Sequence, residues 1–380
     1  MGGRAFPDLY VPRMNHQVYE KVKQNTLNML SKRFANATGL PEAPGKLDFG
    51  DVDFVIELSS STPLPYQQVA LDLGAKNIKK NHPTYSFAIP LQNTDVEVQA
   101  FAQVDVQVCD LGDLAWTIFL HGFGDLGSIL GTFNYGYGFT SRDDGFYVRI
   151  KEQETHNWSA SQVFLSKDPD LVMDFLGLDK HTFHSGFEDE RQLFDWAVSS
   201  RLFSRKLVEK RGANSEMRSR MEKRPMFRRF MSQYLPSIPI VESDFNETRD
   251  SHTEAALTFF DKADEFNTRR AKVLVRNAED HAWYIIKTTI LTPLAKLETK
   301  RLNEVVRALK RFVAFKDGKP YICDEPEMDV ECQARFAFHI TEADEVTPVL
   351  HDWILKNWEE VKTRERRRAK GSGRAVAQQG

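Results

Sequence analysis

The stretch 96–108 alternates more strictly than any other part of the chain. Val96, Val98, Ala100, Ala102, Val104, Val106 and Val108 share one parity; Glu97, Gln99, Gln103, Asp105 and Gln107 share the other. Successive side chains of a strand point to opposite faces. This pattern therefore specifies a strand with one face on a core and one face open. A second strand precedes it, with Val52, Phe54, Ile56 and Leu58 on one face and Asp51, Asp53 and Glu57 on the other. Two carboxylates two residues apart share a strand face. With Asp105 from a neighbouring strand they are expected to form an oxygen cage for divalent metal, the arrangement that two-metal phosphoryl transfer requires. Three carboxylates brought together repel one another unless a cation is bound.

At 380 residues the chain is long enough for two domains. Its net charge of −3 offers no bulk attraction to a polyanion, so nucleic-acid affinity must come from local patches. Cys109, Cys323 and Cys332 lack metal-ligand spacing, which argues against a disulfide framework or a structural zinc site. The first residues hold no apolar signal core, and Phe6 stands where a myristoylation motif carries Ser or Thr. No apolar run is long enough to span a membrane. The expected setting is the cytoplasm or the nucleus, with no membrane partner.

Asn15 caps a first helix with Val18, Val22, Met29 and Leu30 inward. A loop at 38–46, rich in Gly and Pro, leads to the first strand. A short helix over 65–73 stops at Gly74. A strand at 86–91 joins 96–108 through a turn at 92–95, and 145–150 forms a further strand. These strands are read as antiparallel. After Lys151 helical spacing dominates, over 171–176, 188–203, 254–266, 276–289, 296–315 and 349–368, with a short strand at 335–340. The expected fold class is α+β, a mixed or antiparallel sheet backed by helices in residues 1–150. A mainly helical domain follows at 151–370, and a small polar tail at 371–380 is expected to be disordered.

Gly122, Gly124 and Gly127 fit a dinucleotide-binding fingerprint, but no parallel βαβ repeat surrounds them. Their expected role is tight helix packing beside the acidic sheet. Gly39 to Lys46 imitates a phosphate-binding loop, yet the spacing is one residue too long and Leu47 replaces Ser or Thr. Residues 201–234 are basic. Arg218, Arg220, Arg224 and Arg228 are candidates to hold a nucleic-acid backbone while Phe203, Phe227, Phe230 and Tyr234 stack on bases. The competing reading is a solvated helix pair. Residues 364–370 form a second basic cluster, a nuclear address or a frayed helix end. His121 and His281 are read as packing or capping residues.

Gly50-Asp51-Val52-Asp53 followed by Val104-Asp105-Val106 resembles the DNA polymerase β-type nucleotidyltransferase superfamily, whose members carry an acidic pair on one strand and a third acid on a later one. Lys46 ahead of Gly50, the stretches 122–131, 145–149 and 163–169, and Asp174 to Leu178 are similar to a divergent branch found in large phages and in fungi. The likeness covers 46–110 and extends more loosely to about 203. It implies a nucleotidyltransferase-like core with a helical domain attached. It also implies Mg²⁺ or Mn²⁺, a nucleoside triphosphate such as ATP as donor, and an RNA or protein acceptor. By matching position, Asp51 and Asp53 would hold both metals and the triphosphate, with Lys46 and Gly50 at the nucleotide. Asp105 would bind the catalytic metal and activate the acceptor hydroxyl. One departure stands out. Where the superfamily grips the triphosphate with Gly-Ser or Gly-Gly at a helix N-terminus, this chain has Gly39-Leu40-Pro41. Leu40 offers no hydroxyl and Pro41 no N–H, and Lys46 is expected to substitute as a point charge. The alternative is a catalytically silent fold that binds RNA or protein.

Overall fold

The computed structural model describes residues 3–59, 62–91, 98–212, 214–239, 248–295, 299–326 and 334–376. The chain forms two compact units: Met1–Lys151 with Trp158–Ala263, and Glu152–Asn157 with Asp264–Gly380. The first holds a five-stranded sheet of β1 (Ala37–Gly39), β2 (Asp51–Glu57), β3 (Asn77–Asn81), β4 (Thr84–Pro90) and β5 (Phe101–Cys109). Their spatial order is β1-β2-β5-β4-β3. β2 and β5 run parallel, whereas the other neighbours are antiparallel. The sheet is therefore mixed, and the antiparallel reading of the acid-bearing strands is corrected. The β3–β4 hairpin intervenes in sequence and returns the chain to β2 in the same direction, which local alternation cannot reveal.

Helices α1 (His16–Arg33) and α2 (Tyr66–Leu73) cover the apolar face. Tyr19, Leu30, Val69 and Leu73 meet Val52, Phe54, Ile56, Val104 and Val106 in one core. The Asn15 side chain accepts the Val18 N–H at 2.9 Å and caps α1. Gly74 ends α2 in the left-handed conformation, φ 61°. The alternating strand is shorter than its pattern: β5 begins at Phe101, and Val98 is exposed. Val96, Glu97 and the turn expected at 92–95 lie outside the described residues.

The first unit continues through α3 (Leu114–His121), α4 (Leu126–Gly136) and an antiparallel sheet of β6 (Phe139–Arg142), β7 (Gly145–Arg149) and β8 (Gln162–Ser166). Then come α5 (Pro169–Leu176), α6 (Lys180–Ser185), α7 (Glu190–Val198), α8 (Arg205–Gly212), α9 (Ser215–Lys223), α10 (Pro225–Arg229) and α11 (Arg249–Phe259). The sequence places a domain boundary near 150, but these helices group with the first unit. Aromatic contacts bind them there, Phe133 to Phe203 at 5.1 Å and Phe175 to Phe260 at 5.2 Å between ring centroids.

The second unit is mainly helical, with α12 (Ala263–Ile286), α13 (Thr292–Ala295), α14 (Thr299–Phe312) and α15 (Pro348–Val376). The helix expected through 315 ends at Phe312, and the chain enters a hairpin of β9 (Val313–Lys316) and β10 (Lys319–Ile322). Asp317 and Gly318 make its turn with φ of 49° and 70°. This is the Asp-Gly hairpin signal, masked by the helical pattern before it. The strand expected at 335–340 is a short 3₁₀ turn, Ala337–His339. α15 runs to Val376, past the point where the tail was expected to begin. Cys332 lies outside the described residues. No described helix is long and apolar enough to cross a membrane.

Two glycines of α4 make opposite predictions. A Cβ at Gly127 would sit 2.2 Å from the Leu120 carbonyl oxygen. Gly127→Ala should therefore lower stability by about 1–3 kcal/mol. At Gly131 a Cβ would meet nothing within 4 Å. Gly131→Ala should raise stability by about 0.5–1 kcal/mol through helix propensity. Urea denaturation of both variants checks the pair.

Candidate metal centre

The parallel register sets Asp51 beside Gln103 and Asp53 beside Asp105. Alternation turns all of them away from the core of α1 and α2. Oxygen atoms of Asp51, Asp53 and Asp105 lie within 4.8 Å of one another, and the three residues are half-buried. Asp105 is fixed from two sides. Gln103 Nε2 donates to its Oδ1 at 3.1 Å and its Oδ2 at 2.9 Å. Ser86, its register partner on β4, hydrogen-bonds to it as well. Gln103 is only 4% exposed, and its Oε1 accepts the Ala5 N–H at 2.8 Å. Glu57, the third acid on the polar side of β2, has another task. Its Oε1 accepts the Gly112 and Leu114 N–H groups, both at 3.0 Å, at the start of α3.

The sequence reads this face of the sheet as open, and the structure corrects that. Phe6 packs with Ala88 and Phe101, and the Phe101 N–H donates to the Tyr10 carbonyl at 2.9 Å. The N-terminal segment thus lies on the face that carries the carboxylates. Val55, two residues beyond Asp53 on that face, is fully buried, and α3 lies against β2.

Lys46 is expected to be a point charge for phosphate. Here its Nζ lies 2.5 Å from Glu42 Oε2 and 5.0 Å from the Phe49 ring centroid. Glu42 Oε1 also accepts the Tyr19 hydroxyl at 3.0 Å, and Tyr19 stacks on Phe49 at 3.8 Å. The Leu40 N–H donates to the Asp53 carbonyl at 2.9 Å, tying the 40–46 loop to β2. Gly50 is buried immediately before Asp51. Sequence reasoning missed Glu42; its spacing of four from Lys46 was the available signal. Gln103 was read only as a polar residue flanking Asp105.

Burial pushes the Asp53 carboxyl well above the usual carboxylate range, helped by the charges of Asp51, Asp105 and Glu42 and opposed by Lys46. Burial also raises Asp51, against the pull of Lys46. It raises Asp105 too, against the hydrogen bonds from Ser86 and Gln103. An all-carboxylate donor set that resists carrying its charges suits a hard divalent cation.

The other predicted residues lie elsewhere. Arg220 and Arg224 line a cleft on α4, Arg224 paired with Asp125 at 3.1 Å; Arg218 and Arg228 are exposed outside it. The aromatics offered for base stacking are engaged in packing, two of them fully buried and Phe203 and Tyr234 half-buried. Phe227 and Phe230 are fully buried, Phe203 packs on Phe133, and Tyr234 stacks on Phe230 at 5.7 Å. A hydrophobic helix interface explains their spacing. Gly122 to Gly127 joins two helices rather than a strand to a helix, so the dinucleotide reading is excluded and the packing role against Leu120 holds. His121 pairs with Asp143 at 2.9 Å and His281 with Asp344 at 2.8 Å.

No protein-family model matches the chain, and no curated protein matches it. Among solved structures it is similar to polymerase beta of Leishmania infantum. A ternary P/T complex of that protein is 13% identical with a TM-score of 0.32, over 44% of this chain and 74% of that one. A ternary gap complex is 12% identical with a TM-score of 0.32, over 44% and 68%. A likeness this low carries no argument, and the functional reading rests on the geometry.

For these carboxylates the folded pKa lies above the unfolded one. Their contribution to stability is present at acid pH and is lost as pH rises through the unfolded value, about 4, toward the folded one. Asp53→Asn should therefore raise the melting temperature of the metal-free protein at pH 7.5. Mg²⁺ or Mn²⁺ at a hundredfold excess over Kd should stabilise the unsubstituted protein by about 2.7 kcal/mol. That gain should vanish near pH 4 and in Asp53→Asn. Differential scanning calorimetry at two pH values checks both expectations.

Proposed function

We propose that the chain is a metal-dependent nucleotidyltransferase that moves a nucleotidyl group from a nucleoside triphosphate, such as ATP, to an acceptor hydroxyl. The observation that carries this reading is the Asp53–Asp105 register on adjacent parallel strands, with Asp51 on the same face and all three oxygens within 4.8 Å. In this reading Asp51 and Asp53 would hold two Mg²⁺ or Mn²⁺ ions and, through them, the triphosphate, and Asp105 would hold the catalytic ion. Bound there, the cations neutralise charge on the leaving pyrophosphate and lower the pKa of the acceptor hydroxyl.

The chain's own groups do the rest. Gln103 and Ser86 hold the Asp105 carboxylate in one orientation, ready to accept the hydroxyl proton. The N-terminal segment, seated on Ala88 and Phe101, limits water over that part of the face. Lys46 bears on both Asp51 and Asp53, and a triphosphate would compete with Glu42 for its ammonium.

Incubation with labelled nucleoside triphosphates, Mg²⁺ or Mn²⁺ and candidate RNAs and proteins should give label transfer. Asp51→Ala and Asp105→Ala should each lower it by at least about a hundredfold. Transfer that persists in both variants refutes the assignment. A second reading, a silent fold that binds RNA or protein, is favoured by two bonds: the Leu40 N–H is taken by Asp53 and Lys46 by Glu42. Calorimetry with ATP and Mg²⁺ separates the two. Binding weakened by Asp53→Asn supports the enzyme; no binding, with salt-sensitive RNA association, supports the silent fold.

A further inference from the structure

The first unit carries a cleft of about 1150 Å³ on the exposed face of α4. Its floor is Ser128, Gly131 and Tyr135, spaced three and four apart on one helix face. A Cβ at Gly131 would meet nothing within 4 Å, so a ligand can approach the helix backbone there. Arg142 of β6, Arg211 of α8, Arg220 of α9 and Arg224 line the walls. The acids of the cleft are engaged, Asp143 with His121 at 2.9 Å and Asp144 with Arg142 at 3.0 Å. Arg224 is also paired with Asp125 at 3.1 Å, so four guanidinium groups stand against three carboxylates, an excess of positive charge on a chain whose net charge is −3.

At one end the cleft carries organised aromatic groups. Tyr135 and Trp158 stack with ring centroids 5.5 Å apart, yet remain 42% and 38% exposed. The Arg211 guanidinium lies 3.6 Å from the Tyr135 centroid. Arg149, only 2% exposed, lies 4.4 Å from the Tyr135 centroid and 4.5 Å from that of Trp158. It donates to the Phe139 and Thr140 oxygens and, at 2.8 Å, to the Tyr135 carbonyl. Tyr135 is thus packed by Arg211, Arg149 and Trp158, while both rings keep part of their surface exposed.

We infer that this cleft binds a single-stranded nucleic acid and, resting on the nucleotidyltransferase reading, that it seats the acceptor. Planar guanidinium forks fit phosphates, and the part-exposed Trp158 ring and the Arg211 guanidinium plane over Tyr135 offer surfaces on which an unpaired base can stack. An acidic peptide would use the arginines but not the rings. A duplex hides its base faces within the stack. The volume exceeds what a single nucleotide fills. The cleft also borders the loop beside the aspartates. A Cβ at Gly124, on its rim, would come within 2.9 Å of the Ala43 Cβ, and the Phe123 N–H donates to the Pro41 carbonyl at 2.7 Å. Glu42, between Pro41 and Ala43, acts on Asp51 and Asp53.

The test is fluorescence anisotropy with a labelled RNA of about twelve nucleotides, its DNA counterpart and a matching duplex. The single strands should bind, and affinity should fall at least about tenfold between 50 and 200 mM salt. Gly131→Phe, which fills the floor, and Arg220→Glu should each weaken binding at least tenfold. Both variants are compared with the unsubstituted protein at matched thermal stability. If Arg220→Glu does not fold, Gly131→Phe decides. Unchanged binding in Gly131→Phe, equal binding of the duplex, or tighter binding of polyglutamate overturns the proposal. Asp105→Asn separates the two readings. Loss of transfer with oligonucleotide binding intact supports both. Binding by the unsubstituted chain with no transfer under any condition refutes the enzyme alone, and transfer to RNA undiminished in Gly131→Phe refutes the acceptor cleft alone.

Discussion

The pairing of β2 with β5 in parallel register is the constraint on which the rest depends. It places Val52, Phe54 and Ile56 beside Val104, Val106 and Val108 on one face, and Asp53 beside Asp105 on the other. A slip of one residue would turn every one of these side chains over, exposing the apolar set and burying the acids. The same hydrogen-bond ladder therefore secures the core under α1 and α2 and builds the acidic cluster. Burial of Val52, Phe54, Ile56, Val104 and Val106 on the opposite face offsets the repulsion within the cluster.

Around the cluster, polar groups are divided by role. Gln103 and Ser86 orient Asp105, Glu57 ties the start of α3 to β2, and Glu42 restrains Lys46. Lys46 opposes the negative charge at both Asp51 and Asp53, and Arg13 opposes it at Asp51. The Lys46 ammonium is shared with Glu42, and burial still raises all three carboxyls. The electrostatics and the donor chemistry thus point the same way, to a bound divalent cation.

Much of the site was legible in the sequence because it rests on local periodicity. Alternation located β2 and the described part of β5 and placed Asp51, Asp53 and Asp105 on the correct faces. Asn15 and Gly74 marked helix ends for reasons internal to a turn or two of chain. Where long-range packing decides, the reading failed. The aromatics of 203–234 look like a stacking series from their basic neighbours, but the partners that bury them, Phe133 and Phe194, come from α4 and α7. β6 and β8 went unread because four or five residues carry too little pattern without their neighbour β7.

The sequence by itself determined the α+β class, the faces of the two acid-bearing strands and the three carboxylates, since each follows from a period of two along one segment. Only the tertiary structure decided that the strands are adjacent and parallel, that the N-terminal segment covers part of the acidic face, and that Glu42 holds Lys46. Only it gathered Arg142, Arg211, Arg220 and Arg224 from separate elements into one cleft. Those outcomes are contacts between residues distant in the chain. They are selected by which buried surfaces fit together, and no local period records that fit.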